Sequence, residues 1–361
     1  MDRSVYLDHS ATTPVAPEVL DAMAPYHREQ YGNASSLHVY GRKARSAMED
    51  SRRTIAQRLV VKPEEIVFTC GATEANNLAL VGAAYSSSER RHIVTTAIEH
   101  HAVLHTVGWL EKQGYPATYV KPDSVGKIDP EAIREAIQED TLLVSVMAGN
   151  NELGTTQPIG KIGALCRERG VLFHTDAVQA FGKVPLPMDS VDLLSASAHK
   201  LHGPKGVGLL FVRSGVRLTP LFHGGGHEGG RRSGTENVPG IVGLAKATEI
   251  AFEESEETAK RLRSFRNRLI DGVTRIPGSR LNGHRVESLP HIANFSFAAV
   301  EGESLVLKLD ESGIAVSTGS ACSSPELEPS HVLVAIGVAP EMVHGSLRVS
   351  TGRETTPDEI E

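Results

Sequence analysis

A single lysine follows a short apolar run near the middle of the sequence. The run Val191–Leu194 predicts a buried strand, which leads through small and hydroxyl residues to Lys200 and then to a turn rich in glycine and proline at 203–206. Partial burial lowers the pKa of such a lysine and makes its amine a nucleophile that can bond to an aldehyde. A solvated loop lysine fits the same segment, so Lys200 alone does not decide between the two interpretations.

A carboxylate ends the apolar run that comes before this strand. Residues Val171–Thr175 form that run, and Asp176 follows it. Ligands of open α/β sheets bind beyond the carboxyl ends of the strands, so Asp176 and Lys200 are placed to hold opposite ends of one ring. Pyridoxal phosphate needs an acid at its pyridine nitrogen, because the protonated ring acts as an electron sink. Asp176 also fits the N-cap of a helix beginning at Ala177, and the two roles are compatible.

A glycine turn between a strand and a helix provides a candidate phosphate site. The predicted strand that ends at Cys70 is followed by Gly71, Ala72 and Thr73 and then by a helical pattern. Free N–H groups and the helix dipole bind anions at such a position, and Thr73 adds a hydroxyl group. By itself the segment also suits an ordinary turn with Thr73 as the N-cap. Beside the aspartate and the lysine, it supplies the third contact that pyridoxal phosphate requires.

Strand-like and helix-like segments alternate along most of the chain, which favours a mainly parallel sheet covered on both faces. One long polar helix is predicted from about Val238 to Val273. Strand-like segments at His291–Ala298 and Leu347–Ser350 suggest a smaller domain, and residues 356–361 suggest the start of a helix. The segments predicted for the large sheet are strands at Ile66–Thr69, Ile93–Thr96, Leu142–Val146, Leu172–Thr175, Leu193–Ala196 and Gly208–Val212, and helices at Pro130–Gln138 and Ile159–Arg169.

Composition and charge exclude several classes of protein. The 361 residues carry a formal net charge of −7, whereas a nucleic-acid-binding surface requires a basic stripe. No apolar run approaches the length of a membrane span, and we expect no signal peptide before Val5–Asp8. The three cysteines lie far apart and form neither a disulfide framework nor a metal-binding spacing. We therefore expect a cytoplasmic location, no bound metal, no membrane partner and no nucleic-acid partner.

Short motifs of different sequence are distributed along nearly the whole chain, from Tyr6–Thr13 to Leu347–Ser350. The motifs between these two are Tyr31–Ser36, Gly71–Glu74, Glu99–His100, Asn150–Glu152, Asp176–Gln179, His199–Lys200, Arg232–Thr235 and Gly319–Cys322. In these motifs the chain resembles the cysteine desulfurases, which belong to the class V aminotransferase group of fold-type I pyridoxal-phosphate enzymes.

The resemblance implies a fold and a domain organisation. The fold is α/β of the type I pyridoxal-phosphate transferases, with a large domain containing a mainly parallel seven-stranded sheet covered by helices, and a smaller α+β C-terminal domain. We expect an N-terminal segment at 1–14 that joins the small domain, the large cofactor-binding domain at 15–250, and the small domain with the catalytic cysteine loop at 251–361. Family members usually continue beyond the position of Glu361, so we do not expect their terminal helix here.

The segment 316–325 surrounds Cys322 with small and polar residues, so it predicts an exposed loop. An exposed thiol can ionise and attack sulfur. The sequence Gly-Ser-Ala-Cys resembles that of the branch of the family whose long cysteine loop transfers sulfur to iron–sulfur scaffolds. The selenocysteine lyase branch carries Arg-x-Gly-His-His-Cys instead, which this chain lacks. We expect Cys166 in the core, from its helical pattern, and we interpret Cys70, beside the phosphate turn, as selected for its size.

The resemblance assigns the covalent cofactor bond to Lys200. Its rival Lys205 follows a Gly-Pro pair and is given a structural or phosphate-side role, because histidine followed by lysine at a strand end is the family pattern. In the same way His100, and not its neighbour His101, matches the histidine that stacks on the pyridine ring and moves a proton to or from the substrate sulfur.

Further roles come from the same resemblance. Arg348 would grip the substrate carboxylate with two hydrogen bonds, and Asn151 would add a second contact to that carboxylate and touch the ring oxygen. Thr235 would reach the phosphate of the neighbouring subunit, which implies a homodimer. The other cofactor contacts are Ala72 and Thr73 at the phosphate turn, Asp176 at the ring nitrogen, Gln179 at the ring hydroxyl oxygen, and Ser197 and His199 at the phosphate.

The implied reaction converts L-cysteine to L-alanine and leaves the sulfur as a persulfide on Cys322. The sulfur would then pass to an acceptor such as an iron–sulfur scaffold protein, or serve another thio-cofactor pathway. A selenocysteine lyase or an aminotransferase of the same fold is the alternative, and transamination would need no second nucleophile. A non-catalytic binding platform is disfavoured, because Lys200, Asp176, His100 and Cys322 are all retained.

Overall fold

The computed structural model describes residues 4–319 and 329–361. The strands are β1 (Val5–Tyr6), β2 (Ile66–Thr69), β3 (His92–Thr96), β4 (Ala117–Val120), β5 (Thr141–Ser145), β6 (Leu172–Asp176), β7 (Leu193–Ser197), β8 (Gly208–Val212), β9 (Ser279–Asn282), β10 (Ile292–Phe297), β11 (Ile314–Ala315) and β12 (Ser346–Ser350). A seven-stranded sheet lies at the centre, in the order β2-β8-β7-β6-β5-β3-β4. β8 runs antiparallel to β2 and β7, whereas the other neighbours pair in parallel.

Apolar side chains on both faces of the sheet explain why its strands read as continuous apolar runs. Successive residues of a strand point to opposite faces. In β8, Leu209 and Phe211 therefore enter one apolar core, and Leu210 and Val212 enter the other. Helices cover both cores, as expected for a mainly parallel sheet. The helices are α1 (Pro17–Met23), α2 (Pro25–Arg28), α3 (Val39–Leu59), α4 (Ala72–Ser86), α5 (His101–Lys112), α6 (Pro130–Ala136), α7 (Ile159–Glu168), α8 (Val238–Glu253), α9 (Ser255–Val273), α10 (Gly302–Glu311), α11 (His331–Ala335) and α12 (Pro340–Val343).

The prediction of one continuous helix from Val238 to Val273 is wrong, because the chain forms α8 and α9 with a break at Glu254. The hydroxyl of Ser255 donates to the carbonyl of Phe252, a local bond that competes with the helical ladder. Arg353 donates to both carboxylate oxygens of Glu254 at 2.8 Å and holds this residue at the break. The polar run that suggested a solvated helix thus contains the junction between two helices.

The two ends of the chain meet in smaller sheets. β1 pairs in parallel with β11, and Asp8 forms an isolated bridge to Ser350 at the end of β12. β12, β10 and β9 form an antiparallel sheet in that order. A third apolar core, containing Leu7, Ile270 and Phe295, packs against these strands. The N-terminal segment therefore lies against C-terminal elements, whereas the domain boundaries at 15 and 251 stay predictions.

In the described ranges, no helix is both long enough and apolar enough to cross a membrane. The same residues contain no group of three or more histidine, cysteine, aspartate or glutamate side chains placed to hold a metal ion.

Candidate active site

A cavity of about 550 Å³ opens at the carboxyl ends of β5, β6 and β7. It is the place where ligands of open α/β sheets bind. Of the residues predicted for the site, Thr235 does not line this cavity and Cys322 lies outside the described residues. The others all line it: Ala72, Thr73, His100, Asn151, Asp176, Gln179, Ser197, His199, Lys200 and Arg348.

Lys200 lies in a short 3-10 turn that directly follows β7. Its Nζ donates to the carbonyl oxygens of Ser10, at 2.6 Å, and Ala11, at 2.7 Å. Lys205 also lines the cavity but is exposed. The N-terminal segment thus holds the amine of Lys200 at the cavity wall. Lys200 and its two partners are separated by 190 and 189 positions in the sequence, and sequence patterns did not indicate these contacts.

Asp176 is the last residue of β6, and its side chain is buried. Its Oδ2 accepts from Nδ2 of Asn76 at 2.7 Å, and its Oδ1 accepts from the backbone N–H of Val178 at 3.0 Å. The turn after β6 does not become an α-helix, so the expected N-cap role reduces to this local turn. Asn76 was not predicted as a site residue; the signal was a polar residue inside the apolar pattern of α4.

The predicted phosphate turn lies beside these two groups. Gly71 is the N-cap of α4, and Ala72 and Thr73 form the first turn of that helix. The backbone of β8 packs tightly here: a Cβ at Gly208 would lie 2.6 Å from the carbonyl oxygen of Ala196 and 2.8 Å from Gly71. Only glycine allows this approach, which fixes the turn against the sheet. The N-terminus of a fifteen-residue helix therefore faces the cavity as an anion site.

His100 is the N-cap of α5, where its Nδ1 accepts from the N–H of Ala102 at 3.0 Å. This bond fixes the tautomer, because an Nδ1 that accepts leaves the proton on Nε2. Burial lowers the pKa of His100, and Lys200 lowers it further, against the opposing effect of Asp176. A neutral imidazole with its proton on Nε2 can donate that proton, so the capping role is compatible with the donating half of the predicted chemical role.

Glu99 precedes His100 and is fully buried. One of its oxygens, Oε1, accepts from the hydroxyl of Thr96 at 2.7 Å and from the N–H of Met147 at 3.0 Å. Oε2 has no hydrogen-bond partner among the described residues. Burial raises the pKa of Glu99 to about 8, so the carboxyl is protonated at neutral pH.

Arg348 projects from β12 into the cavity wall and is buried. Its Nη2 donates to Oδ1 of Asp8 at 2.9 Å, and its Nη1 donates to the backbone carbonyl of Asn151 at 3.0 Å. Its Nε has no partner among the described residues. These two bonds use two of the five N–H groups of the guanidinium, so it keeps donors, Nε among them, for a ligand.

Two further predicted residues contact the N-terminal segment. Nε2 of Gln179 donates to the carbonyl of Ser10 at 2.9 Å, and Nδ1 of His199 lies 3.2 Å from the hydroxyl of Thr12. Burial lowers the pKa of His199 to about 4, with Lys200 adding to the effect, so this imidazole is neutral. Ser197 is buried at the end of β7.

The described cysteines are poor nucleophiles. Cys166 is fully buried in α7, as predicted, and burial raises the pKa of its thiol to about 12. Cys70 lines the cavity and is exposed as a residue. Partial burial of its thiol raises the pKa of that thiol, and the neighbouring Glu74 raises it further. Since the thiolate is the attacking form, both are disfavoured for sulfur chemistry.

Thr235 is exposed and belongs to a segment held at the edge of the sheet by two ion pairs. Arg232 pairs with Glu74 at 2.8 Å. Arg52 and Glu228 form the second pair at 2.8 Å, and both side chains are almost completely buried. The segment is therefore fixed to the same turn that faces the cavity, but Thr235 does not enter the cavity of its own chain.

Comparison with known proteins identifies the family. The model of the family described as aminotransferase class-V matches residues 5–361. The chain belongs to this family. It is 50% identical over 363 residues to the cysteine desulfurase IscS of Methanosarcina thermophila, a match that covers 100% of this chain and 90% of the relative. It is 49% identical over 364 residues to the cysteine desulfurase IscS of Dictyoglomus turgidum, covering 100% of this chain and 92% of that relative.

Solved structures agree with the family assignment. A NifS-like protein superposes with a TM-score of 0.94 at 42% identity, and the match covers 99% of this chain and 96% of that one. A structure of SspA in complex with cysteine has a TM-score of 0.86 at 38% identity, covering 96% of this chain and 98% of that one. The predicted fold-type I architecture and the predicted cofactor, pyridoxal phosphate, are confirmed.

The cavity fits this cofactor. A lysine amine, a fixed carboxylate and a helix N-terminus line one space of about 550 Å³, and these are the kinds of group that an aldehyde, a pyridine nitrogen and a phosphate require. Lys200, Asp176 and the turn at 71–73 are the groups that would hold it.

Proposed function

We propose that the protein is a cysteine desulfurase that converts L-cysteine to L-alanine and retains the sulfur as a persulfide on Cys322. The observation that carries the proposal is the meeting of Lys200, Asp176 and Arg348 in one cavity, since these groups serve the cofactor and an amino-acid carboxylate together. The full-length similarity to proteins named cysteine desulfurase, and to a structure with cysteine bound, supports L-cysteine as the substrate.

Bound pyridoxal phosphate supplies an electron sink next to the substrate Cα. Asp176, fixed by Asn76 and the Val178 N–H, keeps a proton on the ring nitrogen. Lys200 moves the Cα proton, and the carbonyls of the N-terminal segment orient its Nζ. Arg348 holds the substrate carboxylate, which fixes the side from which the sulfur is reached.

His100 and Cys322 act on the sulfur. His100, neutral and with its proton on Nε2, would donate from Nε2 to the substrate sulfur. The Cys322 thiolate attacks that sulfur; an S–S bond forms, and the Cβ–S bond breaks with its electron pair on carbon, which takes up a proton. L-cysteine and one thiol thus give L-alanine and one persulfide. The sulfur is oxidised and Cβ is reduced, so the step needs no external oxidant.

The active form is inferred to be a homodimer. Thr235 is exposed and away from its own cavity, which suits a contact with the phosphate of a second copy. A nearby apolar patch would be covered by that copy, since Tyr31, Leu37 and Tyr40 are 66%, 85% and 46% exposed. Such exposed apolar patches mark protein interfaces.

A contact between Ser35 and His227, at 3.4 Å, links the segment of this patch to the segment that carries Thr235. One interface would therefore include both. The sulfur acceptor is inferred to be an iron–sulfur scaffold protein in the cytoplasm, because the relatives in the comparison carry the name IscS.

One preparation of the purified protein tests the proposal. After exposure to L-cysteine, mass spectrometry is expected to find one added sulfur atom on the peptide that contains Cys322, in step with the release of L-alanine. Cys322→Ser is expected to stop both, whereas Cys166→Ser, the buried control, keeps both. Light scattering of the same sample is expected to report twice the chain mass of 38.7 kDa.

Three outcomes would contradict the proposal. Added sulfur on Cys70 would assign the persulfide to Cys70 instead of Cys322. Amino transfer that persists in Cys322→Ser would indicate an aminotransferase. Full activity in a monomer would exclude a site completed by Thr235 of a second copy.

A further inference from the structure

His291 lies behind Gln179, just before β10, and only 2% of it is exposed. Its Nε2 lies 3.2 Å from Oε1 of Gln179. Gln179 lines the site cavity, whereas His291 lines a second cavity of about 70 Å³. None of the roles derived above uses this histidine.

The orientation of the Gln179 amide follows from its two neighbours. The backbone carbonyl of Ser10 is only an acceptor, so the amide nitrogen of Gln179 must face it, as it does at 2.9 Å. The amide oxygen then faces His291 and is also only an acceptor. The proton of the imidazole is therefore on Nε2, and His291 donates to Gln179.

The surroundings keep His291 neutral. Burial lowers its pKa well below the ordinary range, and the positive groups around it act in the same direction. Its Nδ1, which carries no proton in this tautomer, has no partner among the described residues. The titratable and charged groups that face His291 are Lys183, His9, Arg348 and Arg266. The donor to Gln179 is thus a neutral N–H group at neutral pH.

The same Ser10 carbonyl also accepts from Nζ of Lys200, at 2.6 Å. A continuous path of hydrogen bonds therefore runs from His291 through Gln179 to Ser10 and Lys200. We propose that His291 is a positioning residue that holds the Gln179 amide with its nitrogen towards Ser10 and the ring oxygen of the cofactor. The proposal rests on pyridoxal phosphate as the cofactor and is independent of the fate of the sulfur.

Loss of the His291 N–H would leave the Gln179 oxygen buried without a donor, which favours rotation of the amide. A hydrogen bond to the ring oxygen of the cofactor stabilises its negatively charged form, so it lowers the pKa of the titration that is visible in the cofactor's absorption. Rotation of the amide removes that bond. The visible titration should then shift to higher pH, a change that destabilised packing alone would not cause.

The test compares two substitutions at this position. His291→Leu removes the donor, and His291→Gln keeps a side-chain N–H. Without substrate, the titration of the bound cofactor's visible absorption should rise by about one pKa unit in His291→Leu, the tenfold change expected for one hydrogen bond. In His291→Gln it should stay close to that of the parent protein. The affinity for the cofactor, measured by reconstituting the apo-protein, should fall in the leucine variant and recover in the glutamine variant.

A double-mutant cycle tests whether the effect passes through Gln179. In a Gln179→Leu background, His291→Leu should cause no further shift of the titration. His92→Leu is the matched control, since His92 is also a buried histidine with two side-chain partners, Thr141 and Thr118, and does not line the cavity. It should lower the melting temperature and leave the titration unchanged.

An unshifted titration in His291→Leu would overturn the proposal, as would a shift of equal size in the Gln179→Leu background. If the leucine variant does not fold, His291→Phe keeps a ring without nitrogen atoms and replaces it in the same comparison. Because no measurement involves L-cysteine, a failure here is distinguishable from a failure of the desulfurase proposal.

Discussion

The two walls of the site cavity are built in different ways. One, called here the sheet wall, consists of residues at the carboxyl ends of strands of the large sheet or shortly beyond them: Ala72, Thr73, Asp176, Ser197 and Lys200. The other, called here the terminal wall, consists of residues 10–12 near the start of the chain and Arg348 near its end. The sheet wall inherits its geometry from a continuous hydrogen-bonded ladder.

The terminal wall depends on a few pairings between distant parts of the chain. Asp8 contacts Arg348 at a separation of 340 residues, and the Ser10 N–H donates to the hydroxyl of Ser350 over the same separation. In the proposed function, the sheet wall would carry the groups that do chemistry on the cofactor, and the terminal wall would carry the groups that orient them and bind the substrate. Changes in the sheet wall should therefore abolish the reaction, whereas changes in the terminal wall should alter binding.

The largest effect is expected in the sheet wall, at Lys200. Lys200→Ala should lose the visible absorption of covalently bound cofactor and all production of L-alanine, because no other amine has the same place at the end of β7. Lys205→Ala is the matched control: it lines the same cavity but is exposed, and it should keep the absorption band. Absorbance spectra of the two purified variants decide the matter, and a reversed result would transfer the role to Lys205.

The sequence predicted the sheet wall more completely than the terminal wall for a physical reason. Strands β2, β3, β5, β6, β7 and β8 are short apolar runs, so local pattern was sufficient to place Asp176 and Lys200 at strand ends. β4 was missed because it is the edge strand and is mostly only half-buried, which weakens its apolar pattern. The break between α8 and α9 was missed because it depends on Arg353, about a hundred residues further along the chain.

The contacts of the terminal wall could not be predicted from pattern, because each depends on which distant segments meet. The motif that begins at Tyr6 indicated importance but not that Ser10 and Ala11 would accept from Lys200. His291 belongs to an ordinary strand-like segment, and nothing in its neighbours indicates Gln179 as its partner. Family resemblance supplied Arg348, whereas its pairing with Asp8 appeared only in the structure.

A smaller effect is expected in the terminal wall, at Arg348. Arg348→Lys keeps the charge but loses the planar fork that contacts Asp8, Asn151 and a carboxylate together. KM for L-cysteine should rise by about 10- to 100-fold, the range expected when one or two charge-assisted hydrogen bonds are lost, with a smaller change in kcat. Steady-state kinetics against L-cysteine measure the two constants separately.

Arg353→Lys is the control for this substitution. Arg353 also pairs with carboxylates, Glu254 and Glu18, but it does not line the site cavity. Its substitution should leave KM unchanged. An equal rise of KM in both variants would show that the small domain, and not the carboxylate grip, had been disturbed.

The smallest effect on turnover is expected at Glu99, which supports the sheet wall without entering the cavity. Burial raises the pKa of Glu99 to about 8, well above its value in the unfolded chain. The protonated carboxyl therefore favours the folded state, and this advantage is complete below the unfolded pKa and is lost as the pH rises towards about 8. Glu99→Gln cannot ionise, so its stability relative to the parent protein should improve from pH 5 to pH 8, by up to several kcal/mol at ~1.4 kcal/mol per pKa unit, and then stay constant.

Glu65→Gln should show the opposite sign. Burial acts to raise the pKa of Glu65, but hydrogen bonds from the Lys62 N–H and from Ser214 outweigh it and hold the pKa below its usual value. The ionised form of Glu65 therefore stabilises the fold above the unfolded pKa, and this contribution is lost as the pH falls through the folded pKa. Glu65→Gln should thus be less stable than the parent protein at neutral pH, and the difference should shrink in acid. Urea unfolding of the parent protein and both variants between pH 4 and pH 9 tests the pair. A stability curve for Glu99→Gln that runs parallel to that of the parent protein would show that Glu99 is already ionised in the folded protein.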